Sequence, residues 1–332
     1  MRNRSPEGEQ VLLLDFETGP KWFNSPVSSH EGKIADLRQF IPAFTRSSFS
    51  QSAAGIGRTR VNERIDAIIR LPHRNDSHSI PVGIVSKDYT LIPHSEDLGA
   101  VVDALREAKI PEADQDAELI LTEYGERMAF SVFLPERYSF DPGDGHPMGL
   151  RLECVNSVEG STRFRVIVGW LRLVCSNGLV IGVTRADIRR RHVGEFSPKD
   201  VVAVLADGLR EFEIERRSLE QWRDSQITDN TLKRWVNGKL KDTWGFKAAT
   251  RAYRIAMTGH DAKITEGFKD RTPTTIATYR LGPVPGSPPC SRSLFDVSQI
   301  LAWLARGRRD MQEQLEWREE IPALMKSLQE AW

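Results

Sequence analysis

The densest concentration of chemically capable side chains lies between residues 163 and 192. It holds seven arginines (163, 165, 172, 185, 189, 190 and 191) and a single acid, Asp187, a local excess of six positive charges. Guanidinium forks pair well with phosphate oxygens, and a basic stripe is the footprint expected of a nucleic-acid binder. A period of two places Arg163 and Arg165 on one face of a strand, with Phe164, Val166, Val168 and Trp170 on the other, core-facing side. The segment Arg185 to His192 continues the basic surface. The expected phosphate contacts are therefore Arg163, Arg165, Arg185, Arg189, Arg190, Arg191 and His192. The expected mode is sequence-tolerant charge neutralisation with counterion release, single-stranded DNA being the favoured partner and a homo-oligomer a compatible assembly.

A second group gathers around two turns. Asn156, Ser157, Glu159 and Ser161 flank Gly160, and Arg172 leads into Cys175-Ser176-Asn177-Gly178. Asn, Ser and Gly are what turns require, so Asn177-Gly178 reads as hairpin chemistry. Arg172 shares the apolar face of Phe164, Val168 and Trp170. It therefore needs a partner, for which Glu159, a carbonyl or a bound phosphate are the options. His73 and His78 lack companions at ligand spacing, Cys175 lacks a base near it in sequence, and Asp141-Pro-Gly-Asp-Gly145 reads as a turn.

Near the N-terminus, Val11–Leu14 is followed by Asp15-Phe-Glu17-Thr-Gly19. This resembles the opening motif of DEDD-type 3′–5′ exonucleases, where two carboxylates hold divalent metals for in-line attack on a phosphodiester. The resemblance places Asp15 and Glu17 in that role, with no second or third acidic motif following. A nuclease using Mg2+ on Asp15 and Glu17, or on Glu153 and Glu159, is thus the alternative to a binding protein. A protein-interaction component of phage defence or anti-restriction is another. Otherwise no cofactor is expected.

The elements that must position these residues follow from composition and period. The chain has 332 residues, balanced charge (46 basic, 46 acidic) and 39% hydrophobic residues. No run approaches the ~20 apolar residues of a membrane span. Three cysteines form no CxxC pair, and no secretory signal is evident, so a cytoplasmic, non-membrane protein is expected. From about 64 to 184 the period is two, interrupted by one helix capped by Ser95 with an apolar stripe of Leu98, Val101, Val102 and Leu105. Leu119–Tyr124 and Met128–Leu134 read as a hairpin around Gly125, followed by strands at 148–154, 162–174 and 179–183. From Pro198 the period is helical, with Leu205, Leu209, Phe212 and Leu219 on one face. Further helices are expected at about 228–238 and 244–258, and a last one after Asp296 runs toward Leu315 and is ended or kinked by Pro322. The fold class is α+β: an antiparallel β-sheet with a packed helix, then a mainly helical C-terminal region. The segments read as an N-terminal arm and flexible loop (1–60), a sheet domain with a basic face (61–195), a helical extension (196–280), and a Pro-rich linker with a C-terminal helix (281–332).

A set of short motifs adds a resemblance. Val82-Gly-Ile-Val-Ser-Lys-Asp-Tyr89, then Asn156-Ser157 with Gly160-Ser161, Arg172-Leu-Val-Cys-Ser-Asn177 and Arg191-His192 resemble a phage/plasmid-like protein family, a domain of unknown function. Thr243-Trp244-Gly245 with Ala248-Ala249-Thr250 is similar to its C-terminal helical motif. The resemblance covers about residues 80 to 260, and Val158-Glu159 departs from the more usual polar residue followed by Asp. It implies a setting among DNA-processing, recombination and anti-restriction genes of mobile elements. At the level of fold alone, the arrangement also resembles phage single-strand annealing proteins.

Overall fold

The structure, a computed structural model, describes residues 21–22, 25–51, 60–143, 145–172, 179–181, 187–190, 198–269, 272–308 and 310–331. A large antiparallel sheet is assembled from β1 (Lys21–Trp22), β2 (Ser25–Lys33), β6 (Asp116–Thr122), β7 (Arg127–Phe133), β9 (Met148–Ser157), β10 (Phe164–Arg172) and β11 (Leu179–Ile181), in that spatial order. The short β8 (Ser139–Phe140) adds to β9, and β12 (Asp187–Arg190) pairs with β10 beside β11. A separate three-stranded sheet contains β3 (Phe44–Gln51), β4 (Arg60–Arg70) and β5 (Ile80–Ser86). The α+β class expected from the change of period is the one found.

Alternation along the central strands builds the core. Leu119 and Leu121, Met128, Phe130 and Val132, Leu150, Leu152 and Cys154, and Phe164, Val166, Val168 and Trp170 all point to one face and are buried. Over them lie α2 (His94–Glu107) and α3 (Pro198–Asp224), packed on each other and against β9 and β10. The expected stripe of α2 is fully buried. Gly208 lets α3 approach closely, since a Cβ there would stand 2.6 Å from Val168 Cγ1. Trp170 donates its indole N–H to Glu215 at 3.0 Å, fixing α3 over β10.

Several elements differ from the sequence reading, each for an identifiable reason. Residues 44–51, expected in a flexible loop, form β3, because β4 supplies a partner in register from Phe44↔Arg70 to Ser48↔Asp66 and, past an irregularity, again at Ser50↔Val61. Arg46 secures it, donating to Asp66 and to the carbonyls of Ser86, Lys87 and Tyr89. The alternation of Val82 and Ile84 changes phase at a bulge, so Val85 is buried and Ile84 exposed. Helix α2 starts at His94 after Pro93, and Ser95 lies inside it. The α4 helix (Asp229–Trp235) passes through a wide turn at Val236–Leu240 into α5 (Lys241–Thr258). Residues 260–280, expected in the helical extension, and 281–283, expected in the Pro-rich linker, contain a two-stranded ribbon, β13 (His260–Lys269) and β14 (Thr272–Pro283). Gly259 ends α5 in the left-handed conformation and turns the chain into that ribbon.

The C-terminal helix is two helices. The first, α6 (Leu294–Arg306), opens on a reciprocal Ser293–Asp296 capping box, and the second, α7 (Met311–Glu330), is capped by Asp310. Gly307 separates them. Pro322 lies within α7 without ending it. The short α1 (Ile34–Leu37) closes the end of β2. No described helix is long and apolar enough to cross a membrane.

Candidate nucleic-acid interface

The basic segment forms one edge of the large sheet. Strand β12 runs antiparallel to β10 with Arg190 opposite Phe164, Arg189 opposite Arg165 and Asp187 opposite Ile167. Arg163 precedes β10 and is exposed. Arg165 does not share that exposure: it is 4% exposed and ion-paired with Glu319 of α7. The expected open arginine face is therefore closed at this position, because α7 lies over it. Arg185, Arg191 and His192 fall outside the described residues, as do Asn177, Asp15 and Glu17. Arg189 and Arg190 are placed by the backbone register of β12 against β10.

The second face of the strands is charged and covered. Arg151 and Glu153 project there from β9, and Arg318 of α7 reaches Glu153 with two hydrogen bonds of 3.1 and 2.7 Å. Burial would raise the Glu153 carboxyl, but Arg151 and Arg318 outweigh it and hold it down to about 2. Glu159, the other acid of the nuclease alternative, is ion-paired with Arg127 instead. Arg127 also donates to the Trp22 carbonyl at 3.0 Å. Both acids are thus committed to arginines, Glu153 to Arg151 and Arg318 and Glu159 to Arg127.

The polar residues around the two turns separate into two places. At one end of the sheet, the motif at 82–89 meets the motif at 156–161. Gly83 faces Glu159 so closely that a Cβ would stand 2.3 Å from the Glu159 Cβ. Gly160 (φ +83°) lies under the Tyr89 ring, and the Tyr89 hydroxyl donates to the Ser157 carbonyl at 3.0 Å. Ser157 Oγ donates to the Thr162 carbonyl at 2.8 Å, and Ser161 N–H donates to Glu159 at 2.8 Å. Ser157 and Ser161 thus close their own turn. Arg172 lies at the opposite end of β10, paired with Met148. Fully buried, it stacks its guanidinium over Phe295 and approaches the Gly286 carbonyl at 3.4 Å. Of the expected partners it finds a carbonyl, not Glu159. Burial lowers its pKa to about 10, against the pull of Asp296 and Asp141.

Asn156 belongs to a buried network that the sequence reading did not assemble. Its Nδ2 donates to the Ile92 carbonyl at 2.9 Å and to Asp97 at 2.6 Å, and faces His94 Nδ1 at 3.2 Å. His94 Nε2 lies 2.9 Å from the Gly125 carbonyl. That carbonyl fixes the proton on Nε2 and leaves Nδ1 as an acceptor. One amide has two hydrogens for three neighbours, so the set is strained for donors. Burial lowers the His94 pKa to about 4 and raises that of Asp97 well above its ordinary value, against the Asn156 bond. Cys154 is buried beside them and its thiol pKa is raised by burial. The signal was present as His94 and Asp97 three apart on a helix N-terminus, aimed at the strand that carries Asn156.

Chemically, the described residues offer arginine–carboxylate pairs and a cationic sheet edge. Among them no group of three or more His, Cys, Asp or Glu gathers as a metal site. Compared with known proteins, the chain matches the model of DUF932, a domain of unknown function, over residues 81–280. That span runs from β5 through β14 and includes the converging motifs, the basic edge and the buried network. No curated protein and no solved structure matches.

Proposed function

The chain belongs to the DUF932 family, and from that premise we propose that it is a nucleic-acid-binding protein of mobile-element DNA metabolism. It holds single-stranded DNA by its phosphates at the arginine-rich edge of the large sheet. The observation that supports this most is the register of β10 and β12, with arginines at both members of the directly opposed pair 165 and 189. Arg165 of that pair already has Glu319 as its anion, and the register sets a second arginine, Arg189, at the same step of the ladder. Arg163 is exposed next to this pair, and Arg190, Arg191 and His192 follow it in sequence. Such an edge suits a polyanion that is read by charge, not by base. Single-stranded binding or annealing, the setting suggested by the mobile-element resemblance, asks for no catalytic group.

The test is binding of purified, nuclease-treated protein to a labelled single-stranded oligonucleotide at two salt concentrations, with and without Mg2+. An intact oligonucleotide bound more weakly at the higher salt is the expected result. Cleavage only with Mg2+ transfers the function to a nuclease, and absence of binding at low salt removes the reading.

A further inference from the structure

Helix α7 is built in two parts. Its first part, residues 311–320, lies over the charged face of the large sheet. Met311 and Leu315 join Trp22, Ala129, Val155 and Ile167 in a small apolar patch. Arg318 grips Glu153, and Glu319 is ion-paired with Arg165. The second part leaves the sheet: Ile321, Leu324, Met325 and Leu328 enter the main core, and Ser327 Oγ accepts from the Trp235 indole at 2.8 Å.

Pro322 falls at the junction of the two parts. It has no N–H, so the Arg318 carbonyl lacks its helical donor, and α7 is weakest where one part passes into the other. The first part is acidic, with Glu313, Glu316, Glu319 and Glu320 against Arg318 alone. It covers a face that carries Arg151 and Arg165. Trp317 packs against the main core and stacks on Trp244 at 4.3 Å, and Glu320 accepts from the Trp244 indole at 2.6 Å. These contacts latch the segment to α5. The segment also lies beyond residue 280, where the family match ends.

We propose that residues 311–320 form an acidic lid, hinged at Pro322, that competes with nucleic-acid phosphates for Arg165 of β10. The proposal rests on the nucleic-acid reading above and specifies how that site is controlled. The Glu319 carboxylate and a phosphate oxygen make the same charge-assisted bonds to Arg165, so a strand at the sheet edge replaces the lid without leaving Arg165 uncompensated. Lifting this part uncovers a small apolar patch, breaks two ion pairs and releases the Trp317 and Glu320 contacts with Trp244, while the second part stays in the core, so the opening is local. Arg165 then joins Arg163 on an accessible surface.

The experiment titrates a labelled oligothymidylate into the full-length protein by anisotropy over a salt series. The expected result for Glu319→Gln is tighter binding by about fivefold with a salt slope steeper by about 0.7, the value of one added phosphate contact on a single strand. Arg165→Ala in that background should return both to the wild-type values. Pro322→Ala, which restores the helical donor, should weaken binding relative to wild type. Amide exchange provides the second readout. Adding the oligonucleotide should speed exchange at 311–320 and leave 323–330 protected. Wild type that binds, with Glu319→Gln unchanged in affinity and slope and with exchange at 311–320 unaffected, overturns the lid alone. Wild type that fails to bind at low salt overturns the nucleic-acid reading and the lid with it.

Discussion

The two faces of the large sheet are made by the same strands and solve the problem of burial in opposite ways. On one face, Leu152, Phe164, Val166 and Trp170 are packed under α2 and α3, and stability there is apolar area removed from water. On the other, Arg151, Glu153 and Arg165 are nearly as inaccessible, but they are closed over by α7 through ion pairs with Arg318 and Glu319. Buried ion pairs add little net stability compared with apolar contacts of the same size, yet are costly to break from one side. The first face is a permanent core. The second is a contact whose partners can be exchanged for others of the same charge.

The largest expected effect is on the first face. Phe164→Ala should destabilise the protein by about 3–5 kcal/mol in urea unfolding; a loss below about 1 kcal/mol would mean that this face is not the core. Next comes Arg318→Ala, which leaves Glu153 with Arg151 alone. It should cost about 2–4 kcal/mol, and in a double-mutant cycle Glu153→Gln should recover part of that cost. Additive losses would show that the two faces are held in the same way.

The pH dependence sharpens the comparison, because the buried network of His94, Asp97 and Asn156 lies at the edge of the apolar face. His94 has its pKa lowered to about 4, so between the ordinary 6.5 and that value the unfolded chain takes up a proton that the folded protein refuses. Stability is therefore present above 6.5 and falls as pH drops toward 4, by up to about 3 kcal/mol. Asp97 has the opposite sign: its raised pKa means the folded form keeps a proton, so it favours the folded protein as pH falls. Asp97→Asn should steepen the acid loss, and His94→Gln should flatten or reverse it, with Glu126, Glu96 and Cys154 as the other ionisable neighbours. Identical pH profiles for both variants would contradict the assignment. The smallest effect on stability is that of the exposed Arg163→Ala, within about 0.5 kcal/mol, even though it should weaken oligonucleotide binding.

What was legible in the sequence follows the same division. Period-two alternation identified the apolar face residue by residue, and it placed Arg172 correctly among core side chains in need of a partner. It could not show that Arg165 is covered, because alternation separates two faces without revealing what packs on either, and Glu319 comes from the far end of the chain. Strand β3 was hidden by its composition, Phe-Thr-Arg-Ser-Ser-Phe-Ser-Gln, which is polar on one face and stabilised by pairing with β4. The ribbon at 260–283 was hidden in the same way. The junction of residues 83, 89, 157 and 160 was visible only as separate motifs; their purpose, close backbone approach at Gly83 and Gly160, appears once the chain is folded. The break between α6 and α7 was readable from Gly307 and the Asp310 cap, and the apolar spacing across it concealed the stop.

The measurement that tests the central claim most directly is the salt dependence of oligonucleotide affinity for wild type and for the Arg163→Ala, Arg190→Ala double variant. Binding at the sheet edge predicts that the magnitude of the logarithmic slope falls by about 1.4, two phosphate contacts on a single strand, with the unfolding midpoint unchanged. Wild-type affinity and slope retained in the double variant would contradict it.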